Sequence, residues 1–141
     1  MIEKYKGKWN WWGLSCNSGL PWTFDLVEKY KDKWYYEKLE SNKFLPWSFE
    51  LIEKYKDKWE WEHLGLSGAL PWSLELIEKY EDKWGWSGLS QNEFLPWTFE
   101  LIEKYEDKWG WDYLTKNNGI YEKVLQPLLN DEFIDEIMAE I

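Results

Sequence analysis

Polar and apolar positions in this chain repeat on two scales. Within residues 46–59, Ser48, Leu51, Ile52, Tyr55 and Trp59 stand at i, i+3, i+4, i+7 and i+11. That is one continuous stripe at helical spacing, and the alternation a strand would need is absent. Pro46 suits a first helical turn, where its missing N–H costs nothing. Ser48 and Glu50 fit the preference for caps and acids at a helix start. Glu50 also stands four residues before Lys54, in the favourable orientation for an intrahelical pair. The spacing predicts a long helix over 46–59. On the larger scale the stripe returns every 25 residues. Leu-Pro-Trp recurs at 20–22, 45–47, 70–72 and 95–97, and Tyr30, Tyr55, Tyr80 and Tyr105 keep the same phase. So do Trp34, Trp59, Trp84 and Trp109, each followed two residues later by Tyr36, Trp61, Trp86 or Trp111.

Trp61 and Leu64 lie three apart, as do Trp86–Leu89 and Trp111–Leu114, before small and polar stretches such as "GLSGA" and "SQNEF". This predicts a short second helix and a loop. The expected fold is all-α, more than half helix, an α-solenoid of helix–short-helix repeats that bury their apolar faces by stacking. A shortened first repeat covers 1–19, and full repeats cover 20–44, 45–69, 70–94 and 95–119. Residues 120–141 form a C-terminal helical cap. Its last helix is capped by Asn130, opens with Asp131 and Glu132, and presents Phe133, Ile134, Ile137, Met138 and Ile141 on one face.

The blocks Leu-Pro-Trp, Glu-Lys-Tyr and Asp-Lys-Trp average to LPWSxELIEKYxDKWxWxxLSxN. Over residues 2–119 the chain resembles a Trp-rich tandem repeat carried by bacterial, phage and large-virus proteins. The resemblance implies a repeat architecture and no particular activity.

Composition narrows the function classes. The chain carries 14 Trp and a net charge of −10, and its 17 basic residues are all Lys. Nucleic-acid binders collect positive charge, because phosphate neutralisation dominates their affinity. Bidentate guanine reading also favours Arg. This balance argues against direct nucleic-acid binding. No run of 18 apolar residues exists, so no membrane span is expected. "MIEKYKGKW" lacks an apolar signal core, and the lone Cys16 has no disulfide partner within the chain, so a cytoplasmic protein is expected.

Candidate chemistry is sparse. His63 is the only histidine, which excludes a His-based triad or metal set within one chain. Glu28, Glu53, Glu78, Glu103 and Asp32, Asp57, Asp82, Asp107 recur in every repeat, bracketed by Lys. Such recurrence suits a lysine-neutralised ladder between repeats better than an active site. No catalytic, cofactor or metal residue is expected.

The repeats differ mainly at the short helix and its loop. Repeat proteins commonly hold a frame and vary one edge to bind partners. The candidate partner-binding residues are Trp12, Tyr35, Lys38, Glu60, His63, Tyr113 and Lys116. Trp12 stands out because Glu37, Glu62, Ser87 and Asp112 occupy its phase. The expected function is a non-enzymatic protein–protein interaction module or scaffold. The alternative is a phage-type inhibitor of a host defence nuclease, acting by acidic nucleic-acid mimicry. The shortened first repeat leaves Ile2, Tyr5, Trp9, Trp22 and Leu26 as self-association candidates. They would form a head-to-head homodimer through the N-terminal end. Head-to-tail stacking is expected to be blocked by a polar-faced C-terminal helix.

Overall fold

The structure, a computed structural model, describes residues 1–129 together with 135, 138 and 139. Among the described residues the secondary structure is helix alone, and the fold is an all-α repeat. The chain divides into two compact units, Met1–Pro71 and Trp72–Ile141.

Each full repeat opens with a six-residue helix: Phe24–Lys29, Phe49–Lys54, Leu74–Lys79 and Phe99–Lys104. Its start is set by a hydroxyl. Thr23, Ser48, Ser73 and Thr98 are extended, and their side chains accept from the N–H of Leu26, Leu51, Leu76 and Leu101. Pro46 therefore lies ahead of the cap in extended chain, outside the helix. The expected helix over 46–59 also ends early, at Lys54, with Tyr55 as its C-cap. A tight turn follows, closed by Lys58 N–H to the Tyr55 carbonyl at 2.8 Å.

The indoles explain why the turn is stable. Trp59 folds back so that its Nε1–H donates to the Ile52 carbonyl at 3.1 Å. Trp9, Trp34, Trp84 and Trp109 do the same to Ile2, Val27, Ile77 and Ile102. A second indole clamps the turn from the other side, with Trp11, Trp61, Trp86 and Trp111 donating to the carbonyl five residues back. Tyr36 uses its hydroxyl for the same purpose on Lys31. A third set, Trp22, Trp47 and Trp97, closes the loop before the next helix by donating to Asn17, Asn42 and Asn92. The stripe residues are in the core as the spacing implies: Leu51, Ile52, Tyr55 and Trp59 are all buried. Because turns take over where helix was expected, somewhat under half of the described residues are helical.

The short second helices are Trp11–Ser15, Tyr36–Leu39, Trp61–Leu64, Trp86–Gln91 and Trp111–Leu114. Inside each unit, the turn-clamping rings Trp11, Tyr36 and Trp86 also pack on the following repeat. In the first unit Trp11 lies 5.1 Å from Tyr30 and 5.0 Å from Trp34, and Tyr36 lies 5.5 Å from Tyr55 and 5.2 Å from Trp59. In the second unit Trp86 lies 4.7 Å from Tyr105 and 4.8 Å from Trp109.

The acid ladder is present, with a member that spacing did not reveal. Tyr30 donates its hydroxyl proton to Glu3 at 2.8 Å, and Tyr55 does so to Glu28. Lys29 and Lys54 approach the same carboxylates at 3.5 and 2.9 Å, and Lys104 pairs with Glu78 in the second unit. These lysines reach across to the preceding repeat rather than to Asp25, Glu50 and Glu100 on their own helices. The Tyr55 hydroxyl and the Lys54 ammonium together hold Glu28 down at about 2, and Tyr30 with Lys6 does the same for Glu3. Being solvent-exposed, such pairs orient neighbours more than they stabilise them.

After the last repeat, "TKNNG" is not a plain loop. Asn117 caps a helical stretch, Asn118–Ile120, that continues through Tyr121–Leu125 and Gln126–Leu128. Gly119 is needed there, since a Cβ would stand 2.3 Å from the Glu93 carbonyl oxygen. The expected helix from Asn130 lies outside the described residues, save for Met138, which is helical and exposed.

Two substitutions separate the roles of the Trp59 ring. Trp59→Ala should cost about 3–5 kcal/mol in chemical denaturation, as for other buried aromatics. Trp59→Phe keeps most of the ring but leaves the Ile52 carbonyl without its donor, for about 1–3 kcal/mol. A Phe variant as stable as the parent would show the bond to be dispensable.

Candidate interaction edge

Within each unit the second helices and their loops form an edge held by side chains that bridge successive repeats. Ser15 accepts from the Tyr35 N–H at 3.0 Å and donates to the Trp11 carbonyl at 2.8 Å. Ser90 stands 2.9 Å from the Gly110 N–H in the second unit and repeats the arrangement. Asn42 Nδ2 donates to the carbonyls of Ser15 and Asn17, and Asn117 does so to Ser90 and Asn92. The bonds from Tyr35, Gly110, Asn42 and Asn117 each cross from one repeat to the one before it. The edge is consequently a fixed scaffold on which outward side chains are displayed.

In the first unit the structure brings several predicted residues together. The Lys38 ammonium lies 5.2 Å above the Trp12 ring and 3.8 Å from Glu37. Trp12 and Tyr35 are each 48% exposed. Trp12 makes no hydrogen bond through its indole among the described residues, unlike the rings that close the turns. Beside Lys38 a cavity of about 270 Å³ is lined by Cys16, Ser18, Ser41, Asn42, Lys43 and Phe44. Phe44 is 51% exposed and was not among the predicted residues. Its signal was available, since Gly19, Ala69 and Gly119 occupy the same phase in sister repeats, and only Phe94 of the second unit, also exposed, matches it. Glu60 and His63 lie exposed on the next repeat of this unit. In the second unit Tyr113 and Lys116 are exposed, with the Tyr113 ring folded over Gly110.

Glu40 breaks the pattern. It takes the position of Ser15 and Ser90, is 2% exposed, and accepts from the Glu60 N–H through Oε1 at 2.6 Å. Its Oε2 has no hydrogen-bond partner. Burial pushes its carboxyl up to about 7, with the Glu60 N–H and His63 opposing and Glu60 and Glu37 adding to the rise. A carboxyl poised near neutrality can serve as a general base, yet this one is enclosed, with almost no surface open to a substrate. Among the described residues no three His, Cys, Asp or Glu side chains gather as a metal site would need.

Glu40 makes stability depend on pH in a calculable direction. Its folded value, about 7, exceeds the reference 4.5, so the unfolded chain releases its proton first. Stability is therefore lost as pH rises from 4.5 to about 7 and then levels off. Glu40→Ser, which installs the sister side chain, should remove that loss, so that the variant's stability relative to the parent improves by up to about 3 kcal/mol between acidic pH and pH 8. Denaturation midpoints of both proteins at acidic and alkaline pH test this, and parallel pH profiles would contradict it.

Compared with protein-family models, curated proteins and solved structures, the chain finds no match in any of the three.

Proposed function

We propose that this chain is a non-enzymatic protein-binding module that docks a partner on the edge formed by the second helices and loops. One observation carries the reading. Indoles at the repeating phases are built into turns and inter-repeat contacts, whereas Trp12, Tyr35 and Phe44, at varying phases, lie on the surface of one edge. Large aromatic side chains with a cation among them are the usual anchors of protein interfaces. The partner it fits offers carboxylates to Lys38 and Lys43 and an apolar side chain to the cavity beside Phe44. The cytoplasm is the compartment this reading assigns, on the strength of the lone Cys16.

Acidic mimicry of nucleic acid is the competing reading, supported by the net charge. The chemistry at the edge itself is aromatic and lysine-bearing rather than a row of carboxylates, and Glu3, Glu28 and Glu78 are engaged by lysines. Docking through the edge is therefore preferred.

Affinity capture from the source cell, followed by titration of the captured partner, tests the proposal. Trp12→Ala with Phe44→Ala should weaken binding about thirtyfold or more, in keeping with loss of central aromatic anchors. A partner held equally by the double variant would refute the assignment of the edge. Capture of a defence nuclease, lost instead on neutralising exposed carboxylates, would favour mimicry.

A further inference from the structure

Successive repeats share a ring contact at the junctions inside each unit, with a polar ladder beside it that is complete in the first unit. A ring at the start of the second helix packs on the Tyr and Trp of the next repeat: Trp11 on Tyr30 and Trp34, Tyr36 on Tyr55 and Trp59, Trp86 on Tyr105 and Trp109. In the first unit a Glu on the earlier repeat receives the Tyr hydroxyl and the preceding Lys of the later one, as Glu28 receives Tyr55 and Lys54. In the second unit Lys104 reaches Glu78 and Lys108 meets Glu81 at 3.8 Å, while the Tyr105 hydroxyl has no partner among the described residues. An Asp on the earlier repeat faces a second Lys, as Asp32 faces Lys58 at 3.7 Å.

Among the described residues the 95–119 repeat carries the donating half of this contact without a recipient. Trp111 is 55% exposed, where its counterparts Trp11, Trp61 and Trp86 are half-buried. Glu103 and Asp107, in the phases of Glu28 and Asp32, are exposed and make no ion pair among the described residues. The helical stretch that follows does not cover this face. Lys123 ties it instead to the carbonyls of Glu93 and Leu95, each at 2.9 Å.

Residues 2–9 carry the receiving half, already shaped. Trp9 donates to the Ile2 carbonyl at 3.2 Å, as Trp34 does to Val27. The Lys4 ammonium lies 5.3 Å over the Tyr5 ring, as Lys29 does over Tyr30. Yet Tyr5 is 40% exposed where Tyr30, with Trp11 packed on it, is 8% exposed. The charges agree in sign, with residues 1–19 summing to +2 and residues 95–119 to −2.

We propose that a second copy of this chain stacks on the 95–119 repeat through its own residues 2–9, continuing between chains the contact that joins repeats within one. Trp111 then packs on Tyr5 and Trp9 of the second copy. Glu103 receives that copy's Tyr5 hydroxyl and Lys4 ammonium, and Asp107 faces its Lys8. The interface is heterologous, so each added chain presents a fresh half-contact and the assembly can grow. The sequence points instead to a head-to-head dimer around Ile2, Tyr5, Trp9, Trp22 and Leu26, with head-to-tail stacking blocked by a C-terminal helix that lies outside the described residues. In the structure Trp22 and Leu26 are already largely covered, Trp22 being buried, which leaves Tyr5 and Trp9 to do the joining.

Sedimentation of the full chain at low ionic strength, from micromolar to sub-millimolar concentration, decides between the arrangements. The proposal expects association that grows past the dimer and weakens with salt. Trp111→Glu alone and Tyr5→Glu alone should each weaken it about tenfold or more. Mixed, the two variants should form a dimer and stop, because only one intact junction remains. Lys8→Glu and Asp107→Lys, both at exposed side chains, serve as a second pair: each alone weakens association, and their mixture restores it. A monomer throughout the range would overturn the proposal. So would a dimer that Trp111→Glu leaves intact, which is the signature of head-to-head pairing, or variant mixtures that fail to recover association.

Discussion

An indole N–H donated to a main-chain carbonyl seven residues back is the bond on which the rest of each repeat depends. Helices of four to six residues are far below the length at which a helix is stable alone in water. The chain compensates by closing each turn with a Trp side chain, as Trp34 does on Val27 and Trp59 on Ile52. A buried carbonyl is thereby satisfied and a large apolar ring is fixed in the core by one contact. Leu or Phe could fill the volume but could not donate the hydrogen bond. This is the physical reason for so many tryptophans in so short a chain.

Once the turn-closing ring is fixed, the contacts between repeats follow from it. Its edge meets Tyr of the same repeat, as in the pairs Tyr30–Trp34, Tyr55–Trp59 and Tyr105–Trp109, and its other side meets a ring from the repeat before. In the first unit the hydroxyls of Tyr30 and Tyr55, held at the rim of that cluster, reach Glu3 and Glu28 of the earlier repeat, and the adjacent Lys follows each of them there. Each aromatic pair adds roughly 0.5–1.5 kcal/mol beyond its area, whereas the exposed ion pairs add little and serve to set register. Variation is permitted where this frame does not reach, at Trp12, Tyr35, Lys38 and Phe44. The same separation of frame from edge is what recommends the edge as the place where a partner binds.

Much of this was legible in the residues. The 25-residue period and the stripe at Leu51, Ile52, Tyr55 and Trp59 gave helix, repeat and core together, because burial imposes its spacing on sequence directly. The end of the first helix was not legible. Trp59 continues the helical stripe whether the chain between remains helical or turns, and only the indole bond to Ile52 distinguishes the two. Lys54 was read as the partner of Glu50 because intrahelical spacing is visible in sequence, while the approach of Glu28 depends on stacking. Glu40 likewise looks like one more acid among many until its enclosure beneath Glu60 is seen. Phe44 was recoverable from its phase against Gly19, Ala69 and Gly119, a comparison between repeats rather than a motif.

The central claim is that the turn-closing indoles act as bonded staples and not as loosely packed apolar bulk. Hydrogen exchange of the individual indole Nε1–H groups, followed by NMR in the intact chain, measures this most directly. The account predicts that the indole protons of Trp34, Trp59 and Trp109 exchange only as slowly as the protein opens, while the proton of Trp12 exchanges at nearly the rate of free indole. Exchange of Trp34, Trp59 and Trp109 as rapid as that of Trp12, in a chain that remains folded, would contradict it.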